Sequence, residues 1–185
     1  MEKFDNVNQV FELLDRYVRL AFLVKLLSSH STKSGEEFNS RVFDIDFSQL
    51  GLSEEAVASL GTSPNIMQLR KYQVEINNLA TDASSQVFGY MPLLSMEFKE
   101  AAKEYVDSMI TSYLIKSGEC QDSYLKLVMD IDKSTKENDS AKTRSLGKLA
   151  KKSFNMMYEY NTICQNYSNI GSYLNGMIRS PKLKK

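Results

Sequence analysis

The sequence predicts an all-α protein: an elongated helical bundle built on a long antiparallel helical hairpin, at about 95–133 and 142–178. Two observations support this fold class. The 185 residues include 3 prolines and 8 glycines, too few for a turn-rich β fold. Apolar residues also recur at alternating steps of three and four over several long segments. That spacing is typical of helix faces packed on other helices, as in coiled coils.

The first predicted helix spans 5–28, where Asp5 or Asn6 is placed to cap the N-terminus. Its polar side chains form one narrow strip: Glu12, Asp15, Arg16, Arg19 and Lys25. From 20 to 27 the helix is apolar on nearly all sides. A helix of this kind favours a position in the middle of a bundle.

Residues 28–40 are predicted to form a polar loop that contains the only histidine, His30. Apolar and polar side chains then alternate over 41–47, which indicates a short extended segment. We expect this segment to pack Phe43, Ile45 and Phe47 on the helices, because no other segment offers a pairing strand.

Two further helices are predicted between the extended segment and the hairpin. Ser53 is placed to cap a short helix over 53–60. Pro64 stands at the first position of a second helix over 63–88, where its missing N–H costs nothing. Pro92 lies just beyond the end of that helix.

The hairpin is predicted from two long apolar seams joined by a polar turn at 133–141. Ser95 caps the first helix, and Gly118 does not shift the phase of its seam, so we expect one continuous helix. The seam of the second helix keeps a heptad rhythm for four repeats. Its members are Ala150, Ser153, Met157, Tyr160, Cys164, Tyr167, Gly171, Leu174 and Ile178.

Residues 1–93 are predicted to form an N-terminal helical lobe that packs on the hairpin of 94–185, which ends in a basic tail. We expect one cooperative domain. The 23 basic and 23 acidic side chains balance, so the whole molecule has no net attraction to nucleic acid or anionic membranes. No apolar segment is long enough to span a bilayer, and the N-terminus lacks a signal-peptide pattern. A soluble, cytoplasmic protein without a membrane partner is expected.

The sequence lacks the usual catalytic and cofactor motifs. A single histidine excludes His-pair metal sites, and neither Cys-x-x-Cys nor a glycine-rich phosphate loop occurs. Cys120 and Cys164 lie about 13 Å apart in the expected register of the hairpin, too far for a disulfide, and are interpreted as small buried hydrophobes. Lys116 falls within an apolar arc, where we expect its stem to pack and its amine to reach water. No enzyme, metal or cofactor is predicted.

Two surfaces of the last helix are candidate binding sites. The basic cluster comprises Lys142, Arg144, Lys148, Lys151 and Lys152, with no acid between Asp139 and Glu159. It is either a solvated helix back or a surface for phosphates or an acidic partner. The tyrosine–asparagine face comprises Tyr158, Thr162, Asn166, Asn169 and Tyr173. Its composition resembles that of protein interfaces, but another helix of the same chain could cover it.

The leading hypothesis is therefore a non-enzymatic helical protein-interaction module: an adaptor, an inhibitor or immunity-type binder, or a subunit of a larger assembly. Its partner would be another protein or a second copy of the chain. The alternative is a nucleic-acid-associated helical protein that uses the basic cluster over 142–152.

Overall fold

The computed structural model describes residues 4–29, 45–62 and 66–179. These residues form an all-α bundle without strands, which confirms the predicted fold class. The α-helices are α1 (Val7–Ser29), α2 (Glu54–Thr62), α3 (Ile66–Lys71), α4 (Gln73–Tyr90), α5 (Met96–Lys136) and α6 (Ser140–Arg179). Two short 3₁₀ helices, Phe47–Leu50 and Met91–Leu93, precede α2 and α5. The predictions for His30, Phe43 and Pro64 fall outside the residues that the structure describes.

The antiparallel pair α5 and α6 is the spine of the molecule, and its bounds agree with the predicted hairpin to within three residues. At about 1.5 Å per residue each helix is about 60 Å long. The turn between them places Asn138 at a φ of 57°. Asp139 caps α6, because its Oδ1 accepts from the backbone N–H of Lys142 at 3.0 Å. Gly118 lies within the continuous helix α5, as predicted.

The core forms where α1 and α4 pack on the hairpin. Asn6 caps α1, since its Oδ1 accepts from the backbone N–H of Gln9 at 3.2 Å. The apolar stretch over 20–27 is buried as predicted, with only Lys25 exposed. Its most buried members are Leu20, Phe22, Leu23, Leu26 and Leu27. α1 therefore fills the middle of the bundle.

The single helix predicted over 63–88 is wrong, because Tyr72 separates α3 from α4. Tyr72 has φ −103° and ψ 15°. Its N–H donates to the Leu69 carbonyl, three residues earlier, at 3.2 Å, which makes a tighter turn than that of an α-helix. The ring of Tyr72 is buried, and its hydroxyl donates to the Glu55 carbonyl at 3.4 Å. The break thus lets Tyr72 dock α2 on the rest of the lobe. α2 itself begins after Ser53, whose Oγ accepts from the backbone of Ala56, as predicted.

The extended segment predicted over 41–47 does not reach Phe47, which begins a 3₁₀ helix. Asp46 caps this turn through Oδ1, which accepts from the Ser48 N–H at 3.0 Å. Phe47 is buried and Ile45 is half-buried against the core, so both pack on the helices as expected.

One carboxylate joins α1 to both helices of the hairpin. Asp15 Oδ1 accepts from the Tyr105 hydroxyl at 2.7 Å and from the Tyr167 hydroxyl. The Tyr105 ring stacks on Phe11, with centroids 4.2 Å apart. Burial raises the pKa of both tyrosines above 10, and Asp15 adds to the effect. Helical phase placed Asp15 on the polar strip of α1, but the structure makes it a bridge.

The two spine helices pack closely at Gly171. A Cβ built on this glycine would lie 3.3 Å from Val106 Cγ1 of α5, which is tighter than most real contacts. Two turns earlier in α6, Cys164 is buried with its Sγ 3.9 Å from the Ile110 carbonyl. Cys120 and Cys164 are both free cysteines, as expected.

Candidate protein interface on the helical hairpin

Part of the tyrosine–asparagine face is covered by the chain's own helices. Thr162 is only 4% exposed. Asn166 is half-buried, and its Nδ2 donates to the Val18 carbonyl of α1 at 3.2 Å. Tyr173 is also half-buried, and its ring packs edge-on against Phe88 of α4, with centroids 5.1 Å apart. For these three residues, other helices of the same chain therefore cover the face, which was the alternative to an external interface.

The other two members of that face are exposed. Asn169 accepts from Gln165 on its own helix at 3.1 Å and contributes no contact to the core. Tyr158 lies one turn before the covered stretch and is 40% exposed. Glu159, next to Tyr158, is buried. Side chains of α6 thus become buried immediately after Tyr158.

Among the described residues, only α5 and α6 form the half of the hairpin that contains the turn. Residues 118–149, all described, include one buried side chain, Ser134, whereas buried residues recur over 99–117 and 150–174. We call residues 118–158 the arm. The arm is uncovered because α1, with 23 residues, is only about 34 Å long and cannot accompany helices of about 60 Å over their full length.

One side of the arm carries a continuous apolar face. The rings of Tyr124 on α5 and Phe154 on α6 lie 5.7 Å apart between centroids. Three further residues flank this pair at helical spacing, and we define the apolar face as Tyr124, Leu125, Val128, Phe154 and Tyr158. Leu125 is 50%, Val128 41% and Phe154 47% exposed. Clustered exposure of large apolar side chains typically marks a site of interaction.

The opposite side of the arm forms a cavity of about 400 Å³ between the two helices. It is lined by Glu119, Cys120, Ser123, Leu127, Leu149, Lys152, Ser153 and Met156. Leu149 is 50% exposed here, because no third described helix covers this side. Burial raises the pKa of the Cys120 thiol, with Glu119 and Glu159 adding to it, so this thiol is held neutral and poorly nucleophilic.

All five members of the basic cluster are exposed along the arm. Lys142 lies 4.0 Å from Glu137. Within the described part of the chain no ion pair involves Arg144, Lys148 or Lys152. Steps of seven place Arg144, Lys151 and Tyr158 nearly in line on α6. The structure therefore sets part of the basic cluster beside the apolar face, a link that sequence reasoning missed.

Lys116 is half-buried over two aromatic rings. Its Nζ lies 5.2 Å from the Tyr113 centroid and 5.5 Å from that of Tyr160. Both distances fall within the range of cation–π attraction. This geometry agrees with a packed stem and stabilises the ammonium. Across the described ranges, no three His, Cys, Asp or Glu side chains gather where they could hold a metal ion.

A second cavity, of about 390 Å³, lies where α1 meets the first 3₁₀ helix. Its lining is Glu12, Asp15, Arg16, Arg19, Gln49 and Leu50. Arg16 Nε donates to the Leu50 carbonyl at 3.0 Å. Asp15 accepts hydrogen bonds from the hydroxyls of Tyr105 and Tyr167. These polar groups hold the N-terminal elements together.

None of the helices within the described ranges combines the length and the apolar character needed to cross a bilayer. On the arm, apolar side chains and cations meet on one exposed surface. No family model, curated protein or solved structure matches the chain, so its function is inferred from this geometry.

Proposed function

We propose that the protein is a non-enzymatic helical interaction module that binds a protein partner through the apolar face of the arm. It acts as an adaptor, as an inhibitor or immunity-type binder, or as a subunit of a larger assembly. The observation that supports this proposal is the exposed cluster of Leu125, Val128, Phe154 and Tyr158 on two helices that no other described element covers.

The composition of the apolar face also supports binding. Tyrosine and arginine are enriched among the residues that dominate binding energy in protein interfaces, and Tyr158 and Arg144 lie nearly in line on α6. Burying an apolar side chain that is now about half exposed yields roughly 1 kcal/mol. Four such side chains supply a substantial part of the affinity of a transient complex.

Site-specific photocrosslinking tests the proposal. A benzoylphenylalanine replaces Phe154 in the arm or, as the matched control, exposed Asn78 on α4. In extract of the producing cells, we expect a discrete crosslinked product from position 154 only. Excess unlabelled protein should suppress this product, whereas the variant Leu125→Glu/Tyr158→Glu should not. The solution mass at rising concentration then shows whether the crosslinked partner is a second copy.

Equal labelling from both positions, or labelling that the variant suppresses as well as the parent protein, would remove the apolar face as the binding site. A strict monomer that yields no crosslinked product would reject the interaction module itself. Circular dichroism of each variant establishes that the helices are retained.

We propose, as the second candidate, binding of nucleic acid through the basic cluster. The supporting observation is that Arg144, Lys148 and Lys152 are exposed and make no ion pair with described residues. Binding to duplex DNA should then weaken steeply with salt, through counterion release, and be lost in Lys148→Glu/Lys152→Glu. Absence of binding at low salt, or binding that does not respond to salt, would reject this candidate.

A further inference from the structure

We propose that the partner presents an amphipathic helix with one acidic flank, which lies lengthwise over the apolar face between α5 and α6. This inference rests on the proposed function and specifies the chemistry of the partner. It follows from the shape of the arm, the distribution of charge along its two edges, and the size of the face.

The shape of the arm favours a helical ligand. Two packed helices leave a shallow groove along their line of contact, and a third helix fills such a groove in a three-helix bundle. On the apolar face the rings of Tyr124 and Phe154 meet along this line of contact. Leu114 precedes Leu125 by three turns on the same side of α5 and is also exposed. From Leu114 to Val128 the apolar path is about 21 Å long, the length of about four helical turns.

The charge of the arm differs between its two edges. The α6 edge carries Arg144 and Lys151 beside the apolar face, and no acid interrupts residues 140–158. The α5 edge is mixed, because Asp122 and Asp132 accompany Lys126 and Lys133. A helix lying in the groove therefore meets cations along one flank only. Acidic side chains on that flank would complement Arg144 and Lys151.

The size of the face disfavours a second copy as the occupant. About 21 Å by about 20 Å gives roughly 400 Å², whereas a stable interface of standard size buries about 800 Å² on each partner. An area of this size suits a single helix of a partner.

Fluorescence anisotropy with synthetic peptides tests this inference. Three amphipathic peptides of about three heptads carry leucine at a and d and differ only on one flank, which is Glu, Gln or Lys. A helix can lie in the groove in either direction, so one charged flank is sufficient. The full chain should bind the Glu peptide about tenfold more tightly than the Gln peptide and bind the Lys peptide most weakly.

Variants of the arm locate the effect. Arg144→Glu/Lys151→Glu should invert the order, so that the Lys peptide binds most tightly. Lys126→Glu/Lys133→Glu removes the same charge from the α5 edge and should leave the preference for Glu in place. Leu125→Glu/Phe154→Glu should abolish binding of all three peptides. Every substituted residue is exposed, and circular dichroism verifies the fold.

Several results would overturn the inference. Equal affinity for the three peptides, or no binding of any, contradicts an acidic helical partner. If crosslinking from position 154 nevertheless succeeds, only this inference fails and the interaction module stands. Identical effects of the α5-edge and α6-edge variants would indicate general charge attraction. Duplex DNA that displaces the Glu peptide and binds more tightly would assign the surface to nucleic acid.

Discussion

Replacement of Asp15 by alanine should weaken the protein more than any surface substitution. Asp15 accepts hydrogen bonds from Tyr105 on α5 and Tyr167 on α6. A hydrogen bond to a charged group contributes about 1.5–3 kcal/mol, and a buried hydroxyl left without an acceptor costs about 1–3 kcal/mol. Tyr167 is fully buried and bears this cost in full, whereas Tyr105 is half-buried and can turn to water.

We therefore expect Asp15→Ala to lower the free energy of unfolding by about 3 kcal/mol, a large share of the 5–15 kcal/mol typical of a domain. Urea denaturation followed by helical circular dichroism gives this value. The triple variant Asp15→Ala/Tyr105→Phe/Tyr167→Phe removes the stranded hydroxyls and should regain more than half of the loss. A loss below about 1 kcal/mol, or a triple variant no more stable than Asp15→Ala, would refute the bridge.

Two further predictions concern the spine and the tyrosines. Gly171→Leu should lower the free energy of unfolding by about 1–3 kcal/mol, because the new side chain meets Val106 of α5. Gly176→Ala, in open space on the same helix, should raise it by up to about 1 kcal/mol. Equal thermal shifts for the two variants would contradict the close approach. The contribution of Tyr105 and Tyr167 to the free energy of unfolding should be fully present below pH 10 and fall above it. The reason is that the unfolded chain loses phenol protons that the folded protein keeps. Tyr167 contributes about 1.4 kcal/mol per pH unit and partly solvated Tyr105 less, so Tyr105→Phe/Tyr167→Phe should flatten the alkaline limb measured by urea denaturation, and an unchanged slope would exclude the two tyrosines as its cause.

The spine of the fold was predictable because helical phase and capping residues are local properties. Ser95 accepts from the Phe98 N–H and opens α5 where the sequence placed it. The break at Tyr72 was not predictable, since the apolar seam continues through it. Burial of the Tyr72 ring and its bond to Glu55 decide the local backbone, and both depend on the tertiary fold.

The candidate site was predictable only in part. Helical phase identifies the residues that share a face, but it does not show how far along a helix a neighbour provides cover. Thr162 and Asn166 were therefore grouped with Tyr158, although only Tyr158 lies beyond the cover. One available signal was missed: the first predicted helix was much shorter than those of the hairpin, so one end of the hairpin had to remain uncovered.

The uncovered arm also gives α5 and α6 two different local stabilities along their length. Between Gly118 and Leu149 the backbone hydrogen bonds are protected by the two helices alone, whereas the other half lies in the core. Amide protons near Asn138 should therefore exchange with solvent through local opening, at a small fraction of the global unfolding free energy, while those near Val106 and Tyr167 exchange only on global unfolding. Docking of a helix on the arm would slow exchange at the turn and leave the body unchanged, so the hairpin would itself report occupancy in an exchange experiment.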